Sequence, residues 1–98
     1  MLNISKSQEG SALTLVLEGR LDTVTSPELE AVVKELGNVD TLVMDIAGLE
    51  YISSAGLRVL LSAQKTMNAK GGMTIKNATE EVMEIFEVTG FDDILTIE

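Results

Sequence analysis

The chain is predicted to fold as a small α/β domain with a mainly parallel sheet and an antiparallel N-terminal hairpin. Its hydrophobic periodicity gives the order strand, strand, helix, strand, helix, strand, helix, strand, and such alternation favours parallel strands joined by right-handed crossovers. With 98 residues, 45% of them hydrophobic but only 3% aromatic, the chain is sized for one aliphatic core. We therefore expect a single domain over residues 1–98.

The N-terminal hairpin is predicted from alternation. Leu13, Leu15 and Leu17 fall on one face of residues 12–18, as in a half-buried strand. Residues 2–6 are expected to pair with this strand across the polar residues 7–11.

The first helix is predicted after the second strand. Thr25 and Ser26 precede Pro27, which suits the first turn of a helix, and Gly37 supplies the stop. Between them the apolar positions recur at helical spacing: Leu29, Val32, Val33 and Leu36.

The second half of the chain continues the alternation. Residues 41–46 are almost wholly apolar and are expected to form a central strand covered on both faces. The later elements are a helix from Ser53 and Ser54 to residues 68–72, a strand at 73–76, a helix capped by Thr79 and ended by Gly90, and an edge strand at 94–97.

Composition excludes several functional classes. The absence of Cys and His removes disulfides, thiolate sites and the commonest general base. Seven basic against 16 acidic residues give a net charge of −9, which disfavours nucleic acid and suits either solubility or steering toward a basic protein. No signal peptide or apolar span is visible, so we expect a cytoplasmic protein without membrane insertion.

One segment carries the functional argument. Residues 45–58, Asp45-Ile-Ala-Gly-Leu-Glu-Tyr-Ile-Ser-Ser-Ala-Gly-Leu-Arg58, are expected to run from a buried strand through a short loop into a helix, where sites of open α/β sheets cluster. A serine there either caps the helix or, once phosphorylated, places a dianion at the helix's positive end. Local physics alone favours the plain cap.

Two motifs bear on whether this serine is a cap or a phosphorylation site. Gly19-Arg-Leu-Asp22-Thr-Val-Thr-Ser and Tyr51-Ile-Ser-Ser-Ala-Gly-Leu57, with the order of elements, resemble the STAS family over essentially the whole chain. The resemblance is to free-standing bacterial anti-sigma factor antagonists, in which a serine of the second motif is phosphorylated. That serine corresponds to Ser54. The residue before it is commonly Asp in the family, so Ser53 is a departure and the second candidate.

The resemblance also implies a set of partner-binding residues. Asp22 follows the second strand, Asp45 is expected near the end of the central strand, and both are expected at the Ser54 end of the sheet. Arg58, one turn after Ser54, is placed to pair with a phosphate or a partner carboxylate, although local physics favours a plain exposed helix charge. Small side chains at Ala55 and Gly56 would let another protein approach. The full set is Asp22, Thr23, Asp45, Ser53, Ser54, Ala55, Gly56 and Arg58.

The function that the resemblance implies is partner switching. The unmodified protein would bind an anti-sigma factor with serine kinase activity and free a sigma factor, phosphorylation would end the binding, and a serine phosphatase would reset it. The alternative is a STAS regulatory subunit of a membrane transport or lipid-transport complex. An enzyme is disfavoured because no base at recognisable motif spacing stands ready to activate Ser54, and no cofactor or metal is expected.

Overall fold

A computed structural model describes all 98 residues and contains one four-stranded sheet with three helices. The strands lie in the order β1-β2-β3-β4; β1 and β2 are antiparallel, and the other pairs are parallel. This is the predicted fold class. The elements are β1 (Leu2–Glu9), β2 (Ala12–Leu21), α1 (Ser26–Lys34), β3 (Thr41–Ile52), α2 (Ser54–Asn68), β4 (Met73–Lys76), α3 (Glu80–Thr89) and a short 3₁₀ helix (Phe91–Asp93).

The core lies on one face of the sheet. Most alternate residues of β2, β3 and β4 are buried there, whereas β1 buries only Leu2. Val82 and Phe86 of α3 join these aliphatic side chains in one cluster of 24 residues. On the opposite face of β3, Val43 and Asp45 are only half-buried. The expectation of a central strand covered on both faces is therefore wrong, although β3 does lie between β2 and β4.

β3 is twice as long as its apolar run suggested. It continues past Asp45 to Ile52, and the expected loop before α2 is absent. Its pairing with β2 shifts twice, between Val16 and Glu18 and between Gly19 and Arg20. Each shift adds a residue to β3 in the manner of a β-bulge, which breaks the period-two pattern while the strand continues.

The last predicted strand is reduced to one bridge. Gly90 ends α3 in the left-handed conformation, and the 3₁₀ helix follows. Ile94, the first residue of the predicted strand, still has a helical backbone conformation. Only Ile97 pairs with β4, at Ile75. The buried side chain of Gln64 holds this end of the chain, because its carbonyl oxygen accepts the Thr96 N–H at 3.1 Å.

Candidate functional site

The turn between β2 and α1 is organised by Asp22. Its Oδ1 accepts the backbone N–H groups of Val24 and Thr25, each at 3.0 Å, which is the geometry of an Asx turn. Thr25 stands at the N-cap position of α1 but does not cap it through its side chain. Its hydroxyl instead accepts the Asp22 N–H at 2.9 Å and donates to the Arg20 carbonyl at 2.7 Å, so it fastens the turn to the end of β2.

These hydrogen bonds also set the charge state of Asp22. The Thr25 backbone N–H is the largest influence and lowers the pKa of the carboxyl group below its usual value, aided by the Thr25 hydroxyl and the Val24 N–H. Partial burial opposes them without reversing the direction. Asp22 is therefore an ionised acceptor at neutral pH, held by its own turn.

Arg20 and Tyr51 form a pair beside this turn. They are register partners on β2 and β3, and the Arg20 Cζ lies 4.6 Å from the centroid of the Tyr51 ring, within cation–π range. Arg20 Nε is also 3.9 Å from Asp22 Oδ2. The Tyr51 side chain is 37% exposed and Val24 is 82% exposed, so this end of the sheet presents an aromatic and an aliphatic group to solvent.

Sequence reasoning assigned no role to these side chains. Arg20 and Tyr51 both lie inside the quoted motifs, but nothing local shows that they touch. Their contact follows from the parallel register of β2 and β3, which the two shifts alter and which the sequence does not display. The available signal was a tyrosine shortly before the second predicted helix and a valine between two threonines shortly before the first.

Ser53 is the single residue between β3 and α2. Its N–H donates to the Leu21 carbonyl at 2.9 Å, so it continues the β2 contact by one residue. Its side-chain oxygen accepts the Gly56 N–H at 3.3 Å, which makes it the N-cap of α2. Ser53 is half-buried and engaged in capping.

Ser54 differs from its neighbour in both respects. It is the first residue of α2, it is exposed, and its hydroxyl has no hydrogen-bond partner in the chain. The N–H groups of a first helical turn lack intrahelical acceptors and mark the positive end of the helix dipole. Of the two serines, Ser54 is thus the one whose side chain is exposed to solvent and does not cap the helix.

Gly56 faces the chain's own sheet. It is buried, and a Cβ added to it would lie 2.8 Å from the Leu21 Cγ and 2.9 Å from the Leu21 carbonyl oxygen. The partner contact at Gly56 stays a prediction, and the burial of this residue does not support it. The missing side chain lets α2 pack closely on the chain's own sheet instead.

A shallow groove of ≈ 230 Å³ runs between the first turns of α1 and α2. It brings together three of the predicted partner-binding residues with parts of both helices. Its lining consists of Thr23, Ser26, Pro27, Glu30, Ala55, Arg58 and Val59. Thr23 and Arg58 are exposed, and Ala55 is half-buried.

Asp45 lies apart from the other candidates. It pairs with Val16, five residues before the end of β2 at Leu21, so it sits about 16 Å lower along the sheet at the usual strand rise. Its Oδ1 accepts the Ala47 N–H at 3.1 Å. The expectation that Asp45 lies at the Ser54 end is wrong, because β3 extends through seven further residues before α2 begins.

The structure places no group of three or more acidic side chains close enough to hold a metal ion. None of the helices is long and apolar enough to cross a membrane.

Comparison with known proteins gives a family and a fold. A family model described as "Mlab, STAS domain" matches residues 4–96. The chain is 34% identical over 90 residues to BtrV of Bordetella bronchiseptica, a protein named as an anti-sigma factor antagonist, covering 87% of this chain and 76% of BtrV.

Two solved structures share the fold. The crystal structure of an anti-sigma factor antagonist from Mycobacterium paratuberculosis superposes with a TM-score of 0.87 at 19% identity, covering 99% of this chain and 85% of the other. The Bacillus cell fate determinant SpoIIAA, solved in its phosphorylated form, gives a TM-score of 0.75 at 17% identity, covering 98% and 91%.

Proposed function

The chain belongs to the STAS family, and from that premise we propose that it is an anti-sigma factor antagonist controlled by phosphorylation of Ser54. In the unmodified state it binds an anti-sigma factor that is also a serine kinase, and a sigma factor is released. Phosphorylation of Ser54 by this partner ends the binding, and a serine phosphatase restores it. The proposal gives the chain no catalytic role of its own.

The exposure of Ser54 is the observation that carries the proposal. The hydroxyl is accessible, has no partner in the chain, and stands beside a neighbour that already caps α2. The exposed Val24 and Tyr51 and the groove between α1 and α2 lie at the same end of the sheet as Ser54, and together they offer a contact surface. The name of BtrV and the phosphorylated form of SpoIIAA support the same reading by analogy.

The physics of the switch requires no large conformational change. A phosphate adds nearly two negative charges and three acceptor oxygens, which a surface complementary to a neutral hydroxyl cannot accommodate without desolvating them. A mismatch of about 3 kcal/mol lowers affinity roughly a hundredfold.

The test combines modification and binding with the purified cognate anti-sigma factor. With ATP, we expect intact mass and peptide sequencing to locate one phosphate on Ser54, which Ser54→Ala abolishes and Ser53→Ala preserves. Without ATP, Ser54→Ala should bind like the wild type, whereas Ser54→Glu should bind at least tenfold more weakly. Dissociation constants from calorimetry measure this difference.

Thr66→Glu is the matched control, because it adds the same charge at an exposed hydroxyl residue of the same helix, about 18 Å from Ser54 and two turns beyond Arg58. It should leave affinity nearly unchanged. Wild-type affinity for both Ser54→Glu and a protein carrying phosphoserine at position 54 would rule out the switch, and phosphate on Ser53 alone would move the site by one residue.

A regulatory subunit of a membrane transport or lipid-transport complex is the second candidate. A sulfate transporter family protein from Wolinella succinogenes has the same fold, with a TM-score of 0.77 at 13% identity, covering 92% of this chain and 75% of the other. This likeness is the observation that favours the second candidate. Purification of the tagged chain from detergent extracts separates the two: a stoichiometric membrane transport protein in place of a soluble kinase would favour this candidate.

A further inference from the structure

Arg58 is a basic residue on the same face of α2 as Ser54. The two are four residues apart in the helix, which makes their side chains neighbours. Long helical side chains lean toward the N-terminal end of their helix, so the guanidinium group of Arg58 is within reach of the turn that begins with Ser54. Arg58 is also exposed and free to reorient.

Arg58 has no counter-ion in the unmodified protein. Four of the other basic side chains have partners within the chain: Arg20, Lys34, Lys70 and Lys76. Glu30 is the acidic residue that lines the groove with Arg58, but its Oε1 is 3.2 Å from Lys34 Nζ on its own helix. The carboxylate of Asp22 is held by its turn and lies beside Arg20. Arg58 is thus available to a new anion.

Phosphorylation of Ser54 would supply that anion. A phosphoserine carries between one and two negative charges at neutral pH, and its oxygens match the fork of a guanidinium group. An anion four residues before a cation is also the favourable orientation of a helical pair.

We infer that Arg58 pairs with the phosphate of modified Ser54, so that phosphorylation withdraws a guanidinium group from the contact surface as well as adding negative charge. This inference rests on the proposed function. In the unmodified state the same group is free to meet a carboxylate of the anti-sigma factor. One covalent event thereby changes two positions of the surface, Ser54 and Arg58.

The experiment requires neither the kinase nor the anti-sigma factor. Phosphoserine is placed at position 54 during translation by a genetically encoded system, and the phosphate is titrated by ³¹P NMR at about 0.1 M salt, where the Debye length is about 10 Å. A nearby cation stabilises the dianion, so we expect its second pKa to rise by about 0.3 unit in Arg58→Gln. Arg58→Lys should lie between the two, because an ammonium keeps the charge but not the fork.

Lys65→Gln is the matched control. It removes the same charge from an exposed position of the same helix, but about 16 Å from Ser54, beyond the Debye length. It should leave the phosphate pKa unchanged. Amide spectra verify that each variant is folded.

The inference is overturned if Arg58→Gln titrates like the wild type, or if Lys65→Gln shifts the phosphate as much. Its failure is distinguishable from failure of the proposed function. The titration reports the intramolecular pair alone, whereas the kinase and binding assays report the switch whether or not Arg58 takes part.

Discussion

Two adjacent serines at the start of α2 have different tasks. Ser53 caps the helix with its side chain, while Ser54 is exposed and unbonded. In the family, the position of Ser53 commonly holds Asp, and both residue types are good N-caps. Serine therefore keeps the structural function of the position while it removes a negative charge next to the proposed phosphorylation site.

Asp22 gives a prediction for the dependence of stability on pH. Its pKa is lowered in the folded state, chiefly by the Thr25 backbone N–H, so its contribution is present above the unfolded pKa and is lost as pH falls through the folded pKa. Asp22→Asn keeps an acceptor oxygen but cannot ionise. We expect it to unfold at lower urea concentration than the wild type at pH 7, with a smaller difference at pH 3.

Urea titrations at both pH values measure this change. Asp45→Asn is the control. Asp45 also accepts a backbone N–H two residues ahead, but it accepts only this one, whereas Asp22 accepts two. A stability difference between wild type and Asp22→Asn that is constant from pH 7 to pH 3 would contradict the assignment of the effect to the ionised carboxylate.

At the scale of elements, the packing of α2 on the sheet depends on one missing side chain. A Cβ at Gly56 would meet the Leu21 side chain and carbonyl at under 3.0 Å. Gly56→Ala should therefore force α2 away from β2 and lower the free energy of unfolding by about 1–3 kcal/mol, despite the better helix propensity of alanine. Urea denaturation measures the loss.

Gly37→Ala is the matched control, because nothing lies within 4 Å of a Cβ built at Gly37. It should change stability by no more than about 0.5 kcal/mol. Equal effects of the two substitutions would show that close packing at Gly56 does not limit stability.

The helices and β4 could be predicted from sequence because their signals are local, although α1 ends at Lys34 with Glu35 as its C-cap, before the predicted stop at Gly37. The prediction of β4 at 73–76 is confirmed residue for residue, and Thr79 and Gly90 bound α3 as expected. The length of β3 could not be predicted, since two register shifts interrupt its alternation. The prediction of a strand at 94–97 is wrong, although these residues are strand-like in composition. They follow a 3₁₀ helix, and only Ile97 pairs with β4.

At the scale of the molecule, the sequence predicted which candidate residues lie close together only where chain order determines proximity. Asp22 and Ser54 each follow a parallel strand that ends at the same edge, and Ser53 bonds to Leu21 across that edge. The prediction for Asp45 was wrong because the apolar run at 41–46 ends well before β3 does, at Ile52. The contact of Arg20 with Tyr51 was also missed, because it depends on the register between two residues that are 31 positions apart in sequence.

The direct junction of β3 with α2 has a consequence for substrate recognition. Ser54 is not on a loop: one residue, itself bonded on both sides, separates it from the strand. The proposed kinase therefore meets a hydroxyl fixed by a sheet and a helix and must read a folded surface. In an unfolded peptide, binding to the kinase would also have to order the backbone, at a conformational-entropy cost of about 1–2 kcal/mol per residue. In the folded domain this backbone is already ordered.

Hence a synthetic peptide of residues 45–60 should be phosphorylated at least tenfold more slowly than the intact domain at equal concentration, as measured by radiolabel transfer from ATP. The intact Ser54→Ala protein, mixed in excess, should compete with the wild type because it keeps the surface, whereas the peptide should not. If the peptide proved as good a substrate as the domain, the kinase would be reading sequence alone, and partner choice in this system would depend on a short segment and not on shape.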